Sequence, residues 1–265
     1  MTGTESAAPY IDTTRPHPAR VYDWFLGGKD NYPVDEELGR RITAIDRGAL
    51  RAARANRAFM QRATRALAED GVRQFLDIGT GIPTEPNLHQ IAQSVAPEAR
   101  VVYVDNDPIV LAHASALLRG SPAGVTEYVQ ADARDPHAIL DRAAGILDLD
   151  RPVALSLIAL LHFVADDDGA HDLVSTLAGA LAPGSCLVLS TMTADFEPEN
   201  VRRGIAAYAA GGVTLVARTH TEVGAFFEGL RLLEPGIVPV ADWRREEAPD
   251  GDGPISLYGG VARKP

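Results

Sequence analysis

The sequence predicts an α/β protein with a mostly parallel sheet, helices on both faces and an N-terminal helical cap. Three observations lead there. Between residues 72 and 191, short apolar runs suited to buried strands alternate with helix-like runs. The residues before them contain no strand-like run and show helical periodicity instead. Charge divides at the same place: residues 1–70 hold 11 Lys+Arg against 10 Asp+Glu, whereas residues 71–265 hold 14 against 26. Accordingly, residues 1–14 are predicted to be a flexible arm, 15–70 the cap and 71–265 the α/β body.

Within the cap, residues 18–26 form a short amphipathic segment stopped by Gly27-Gly28, and Pro33 suits the first turn of a second helix. A long helix is predicted over 47–69. At 100° per residue, Arg47, Arg51, Arg54, Arg62 and Arg65 share one side, and Ala49, Ala52, Ala53, Phe59, Met60, Ala63 and Leu67 share the other. A stripe of this kind can grip an anion, but a solvated helix face is the ordinary explanation. Asn56 breaks the pattern at the centre of the apolar face. If it is buried, its amide needs a partner from the backbone or a ligand.

In the body, strands are predicted at 72–78, 100–105, 125–131, 152–157 and 185–191, with helices at 84–95, 108–118, 136–143 and 167–181. Two further strands, near 230–234 and 255–262, finish the chain. Alternation of this kind implies right-handed crossovers and a parallel sheet. Ligands of such sheets bind at the carboxyl ends of the strands.

Those ends carry the informative residues. The first strand runs into FLDIGTGIPT, with Asp77, Gly79, Gly81 and Pro83. The glycines let the backbone turn tightly and approach a ligand without a Cβ. The second ends in VVYVDNDP, where Asp105, followed by Asn106, suits two ribose hydroxyls. The third ends in YVQADARDP, where Asp132 can accept from an adenine amino group and Ala133 can offer its N–H. The alternative is that Asp105 and Asp132 merely cap the helices that follow. A dinucleotide fingerprint would continue to a third glycine, but Thr84 stands there. Asp77 would repel a pyrophosphate and attract the cationic ammonium and sulfonium of S-adenosyl-L-methionine. DWFLGGKD is not a phosphate loop, because Asp23 and Asp30 occupy its first-glycine and Ser/Thr positions.

With these motifs the chain resembles the class I S-adenosylmethionine-dependent methyltransferases. More narrowly it resembles the S-adenosyl methyltransferase family first catalogued as DUF574, through VYDWFLGGKDN, ARANRAFMQRA, FLDIGTGIPTEPNLHQIAQ, VVYVDNDPIVLAHA, QADARDP, ALLHFV and YGGVARKP. The resemblance implies a Rossmann-like seven-stranded sheet whose last strand is antiparallel, preceded by a helical lid, and S-adenosyl-L-methionine as cofactor. It names no acceptor. Many relatives have Ser-His after the fifth strand, where this chain has Ser190-Thr191.

No acid–base pair is evident, and the histidines in place are His162, after the fourth strand, and His220, before a helix. His162 sits among apolar residues that suit a structural role equally. Asp166–Asp168 with His171 fit a helix start better than a metal site, so no metal is expected. Trp243, Arg244, Tyr22, Trp24 and Phe25 are candidate acceptor-pocket walls, or ordinary packing. As a lid, Tyr22, Asn31 and the turn at 27–30 would fold over the cofactor, with Asn31 or Asn56 reaching its methionine end.

Other classes are constrained by composition. Net charge is −11, which argues against neutralising nucleic-acid phosphates. The longest largely apolar run, 153–165, is too short to span a membrane. A lone Cys186 excludes a disulfide framework, and no signal-like segment opens the chain, so a cytoplasmic setting is expected. The leading expectation is a methyltransferase acting on a small-molecule acceptor. A non-catalytic S-adenosylmethionine binder and a nicotinamide-dependent oxidoreductase are the alternatives, and the oligomeric state is left open.

Overall fold

The computed structural model describes residues 11–110, 120–245 and 253–265. Three helices lead: α1 (Pro18–Phe25), α2 (Pro33–Ile45) and α3 (Ala49–Glu69). Then follow β1 (Gln74–Ile78), α4 (Leu88–Val95), β2 (Arg100–Asp105), β3 (Val125–Gln130), α5 (Pro136–Ala143), β4 (Ala154–Ile158), α6 (Ala170–Gly179) and β5 (Cys186–Met192). The chain closes with α7 (Pro198–Ala210), α8 (His220–Ala225), β6 (Arg231–Leu232), β7 (Val238–Pro239) and β8 (Leu257–Arg263). The predicted helix at 108–118 begins on schedule, and its residues from 111 lie outside the described set.

The strands form one sheet in the order β3-β2-β1-β4-β5-β8-β6, with β7 also on β8. Strands β1 to β5 pair in parallel, and β8 runs antiparallel to β5. The strand order therefore reverses between β1 and β4, the switch point where such sheets bind ligands. Among the described residues the sheet has eight strands rather than the expected seven, because the chain beyond the strand expected near 230–234 pairs with β8 a second time. Gly236, at φ 87°, turns the chain between two two-residue pieces that both pair with β8.

Alternate strand residues feed opposite layers, as the pleat requires. Leu76, Val102, Leu155 and Leu187 pack on the face covered by α5, α6 and α8. Phe75, Val101, Ala154 and Val188 pack on the other, against Phe59, Met60 and Leu67 of α3. A third cluster joins Val21, Phe25, Leu38, Ile42 and Ala53 to Ala207, Tyr208 and Leu215, so α1 and α2 lean on α7. Thus α3 belongs to the sheet core, while α1 and α2 overhang the strand ends.

Several boundaries moved for local reasons. Helix α4 starts at Leu88 rather than 84, because Pro86 disfavours helix before it and the Gln90 side chain accepts the Asn87 N–H at 2.6 Å. The helix predicted at 167–181 begins only at Ala170. Asp166–Asp168 form a single 3₁₀ turn, and Gly169 breaks the run at φ 84°. Helix α7 was not foreseen.

Candidate active site

The strand ends of β1, β2, β3 and β4 and helix α1 enclose a cavity of about 420 Å³, within the ~300–1,000 Å³ range usual for ligand sites. Of the predicted site residues, Asp77, Gly79, Gly81, Asp105, Asn106, Asp132, Ala133, Tyr22 and Asn56 line it. Pro83 and Asn31 do not. Pro83 follows Ile82 out of the cavity, and Ile82 packs with Ile109 and Val110. Asn31 donates to Asp23 at 2.8 Å and to the Gly28 carbonyl at 3.2 Å, so the turn at 27–30 is folded back on α1.

The glycine loop is shaped by β2. Gly79 and Thr80 both donate to the Val104 carbonyl, at 2.8 and 3.2 Å. Gly79 and Gly81 have φ of 74° and 69°, a region closed to most side chains. A Cβ on Gly79 would lie 2.7 Å from Leu160. Gly81 then donates its N–H to Asp105 at 2.7 Å.

Neither acid caps a helix. Asp107 takes the Ile109 N–H at 3.0 Å and Asp135 takes the Ala138 N–H at 3.0 Å. Asp105 accepts from Gly81 and Asp107, and burial raises its pKa against the help of those two donors. Asp132 is gripped by Arg134 through Nε at 3.0 Å and Nη2 at 2.7 Å, which holds it below the usual carboxylate range.

Asp77 is 8% exposed and its carboxyl is pushed up to about 7, chiefly by desolvation and slightly by Asp105, while Arg57 opposes the shift. A buried carboxyl in this state favours a cation as neighbour. Arg57, also in the cavity wall, was not foreseen. Its Nη2 donates to the carbonyls of Thr84 and, at 2.9 Å, Pro86. The only sequence signal was its place beside Asn56, at the edge of the helix's apolar face.

Asn56 is fully buried and finds side-chain partners. It donates to the Tyr22 hydroxyl at 3.0 Å and accepts from Ser190 at 2.6 Å. Tyr22 donates onward to the Ala53 carbonyl, and Ser190 Oγ accepts the Ala159 N–H, each at 3.0 Å. This run of bonds holds Ala159 at φ 54°, an uncommon conformation for a residue with a Cβ. Ser190 thus serves packing of the wall at the fifth strand end.

The cap is tied down by buried charge. Arg20 donates to the Asp12 and Arg15 carbonyls and lies 3.6 Å from Asp35 and 3.7 Å from Asp107. His17, another wall residue, lies 3.1 Å from Asp107. Two arginines of the predicted solvated stripe also prove to be anchors. Arg51 donates to the Gly253 and Pro254 carbonyls, and Arg62 to those of Trp243 and Val240.

The remaining candidates fall elsewhere. His220 is exposed, with Nε2 3.2 Å from the Ile237 carbonyl oxygen, away from the cavity. His162 is buried, borders a neighbouring chamber and is pushed down to about 3 by desolvation and Arg218. Trp243 packs edge-on against Phe59 at 5.5 Å on the α3 side of the sheet, with the Arg244 guanidinium 4.9 Å from its ring centroid. Trp24 fills the α1–α2 contact, so neither tryptophan is an acceptor wall. Asp166 receives Arg218 at 2.7 Å, and among the described residues no group of three or more His, Cys, Asp or Glu could hold a metal. Nor is any described helix long and apolar enough to cross a membrane.

Residues 4–265 match the family described as S-adenosyl methyltransferase. The chain belongs to that family. This methyltransferase is 52% identical to a DUF574 family protein from Streptomyces avermitilis, covering 97% of this chain and 100% of that one at a TM-score of 0.94. A candidate methyltransferase from Thermobifida fusca is 38% identical over 98% and 99% of the two chains, at 0.89. An S-adenosylmethionine-dependent methyltransferase from Anabaena variabilis, 15% identical over 72% and 77% of the chains at 0.51, shares the fold. No curated protein matches the chain. The methyltransferase is an enzyme of S-adenosylmethionine chemistry with a Rossmann-like sheet, as its sequence implied.

Proposed function

We propose that the methyltransferase holds S-adenosylmethionine along the strand ends and passes its methyl group to a small-molecule acceptor admitted beneath α1. The observation that carries this reading is the meeting of Asp77, Asp105 and Asp132 with Arg57 in one cavity, although they come from three strands and a helix. Asp77 would face the ammonium and sulfonium, and Arg57 the methionine carboxylate. Asp105 would accept the ribose hydroxyls on lone pairs left by its two backbone donors. Asp132 and the Ala133 N–H would meet the adenine edge, and Asn106 would border the ribose.

The sulfonium, when bound, supplies an electrophilic methyl: an acceptor lone pair forms the new bond as the carbon–sulfur pair passes to sulfur. The chain's own contribution is alignment and exclusion of water. Pro18, Ala19 and Tyr22 roof the cavity, and the contacts of Arg20 and His17 with Asp107, just past the β2 end, hold that roof down. In this role α1 is the lid, while Asn31 and the turn at 27–30 stiffen it through Asp23.

Incubation of the protein with methyl-labelled donor and a metabolite extract tests the reading. A product that carries the labelled methyl, and that is lost in Asp105→Ala, is expected. Tight S-adenosylhomocysteine binding with no transfer to any small molecule would leave a non-catalytic binder.

A further inference from the structure

A second chamber of about 100 Å³ lies under α1 and α2, against α7 and the end of β5. It shares Pro18, Tyr22, Ala159 and Phe163 with the cofactor cavity, so the two adjoin. Ala159, held at φ 54°, is one of these common residues. The lining is aromatic and aliphatic, including Tyr22, Phe25, Phe163 and Tyr208. Its carboxylate, Asp46, already accepts the Gly48 N–H at 2.7 Å.

Two polar side-chain atoms in this lining have no hydrogen-bond partner among the described residues. His162 Nδ1 and Ser256 Oγ are both buried and unbonded. Buried polar groups are ordinarily satisfied, and leaving one unpaired costs stability. The His162 ring is 5% exposed and stacks obliquely on Phe163 at 4.3 Å. Burial and Arg218 keep it neutral, so it offers one donor and one acceptor nitrogen rather than a charge.

We propose that this chamber receives the methyl acceptor, and that the acceptor is a non-anionic single-ring compound bearing a hydroxyl. The inference rests on the methyltransferase reading above. Size sets an upper limit of one ring, since the chamber is smaller than the cavity of about 150 Å³ that binds a single benzene. Chemistry sets the hydroxyl: it donates and accepts, so it satisfies His162 in either tautomer and Ser256 in either role. The lining carries a carboxylate, Asp46, and no Lys or Arg, so nothing there compensates an anionic acceptor. The hydroxyl oxygen forms the bond to the methyl carbon, and its proton leaves to water, because a ring held neutral by burial orients the group without storing the proton.

Phenol and benzene differ by that one hydroxyl and serve as probes. Each is titrated, by ligand-observed NMR, into protein saturated with S-adenosylhomocysteine and into protein without it. Gly204 lines the chamber, and nothing lies within 4 Å of a Cβ built on it, so Gly204→Leu fills the space without a clash at the Cβ. Phenol should bind at least about tenfold more tightly than benzene, the worth of one hydrogen bond to an otherwise unpaired buried group. Gly204→Leu should lose phenol while its S-adenosylhomocysteine affinity by calorimetry is retained. His162→Phe should bring the two probes to within about threefold of each other. Equal affinities in the wild type, or undiminished phenol binding in Gly204→Leu, would overturn the proposal. Failure of the methyltransferase reading shows separately, as absence of S-adenosylhomocysteine binding, and the titration without that ligand still tests the chamber.

Discussion

The cavity at the strand ends and the chamber beneath α1 and α2 are neighbours built on different plans. The cavity mixes apolar walls with charged groups, and its acids sit where β1, β2 and β3 stop, each within a few residues of a turn. The chamber is apolar and assembled from α1, α2, the start of α3, the loop after β4, α7 and the start of β8. On the proposed reading, specificity at the first would lie in charge and fixed backbone geometry, and at the second in shape and two unpaired polar atoms. A fold that fixes the first on its sheet can alter the second through its helices, without disturbing the cofactor.

That contrast suggests where substitutions should act. The largest effect is expected for Asp105→Ala, which removes the acceptor at the β2 end and releases the Gly81 N–H. Charge-assisted hydrogen bonds contribute about 1.5–3 kcal/mol each, so S-adenosylmethionine affinity should fall at least tenfold in calorimetry while the circular dichroism spectrum is retained. Next, Asp77→Asn keeps shape and removes charge. It should weaken the sulfonium ligand by roughly tenfold more than the uncharged thioether product, S-adenosylhomocysteine, and equal losses would break the assignment.

The same carboxyl gives a pH signature. Because burial pushes Asp77 up to about 7, it is largely protonated in the free protein below that pH. Binding a cation favours the carboxylate and releases the proton. S-adenosylmethionine affinity should therefore rise with pH up to about 7 and level off above it, and Asp77→Asn should flatten the rise. A smaller, more selective loss is expected for Arg57→Gln. Affinity for S-adenosylhomocysteine should fall by about tenfold, and binding of methylthioadenosine, which lacks the amino-acid end, should be unchanged. Smallest is Tyr22→Phe, which removes the hydroxyl between Asn56 and Ala53 and should cost about 1 kcal/mol in urea unfolding.

The two sites also differ in how far the sequence foretold them. Asp77, Asp105 and Asp132 were legible because each ends an apolar run, and glycines mark the intervening turn. The sheet's parallel strands were legible for the same reason. What escaped was set by contacts far apart in the chain. Asn56 was visible as a polar residue on an apolar face, but its partners Tyr22 and Ser190 lie 34 and 134 residues away. Arg57 looked like one more helix arginine, and Arg51 and Arg62 looked solvated until the C-terminal carbonyls met them. The chamber was legible only in part: Tyr22 and Phe25 stood out as candidate acceptor-pocket walls, whereas the aliphatic residues of α2 and the unforeseen helix α7 gave no signal. His162 was correctly seen as buried among apolar neighbours. Its unsatisfied nitrogen becomes visible only when the surrounding helices are in place.

Amide hydrogen exchange with and without S-adenosylhomocysteine tests most directly whether the cofactor lies along the strand ends under α1. Ligand-dependent protection is expected at residues 77–81, 105–106 and 132–134, together with α1, and not at β6 and β7 on the far edge of the sheet. Protection absent from the strand ends, or confined to the far edge, would contradict the account.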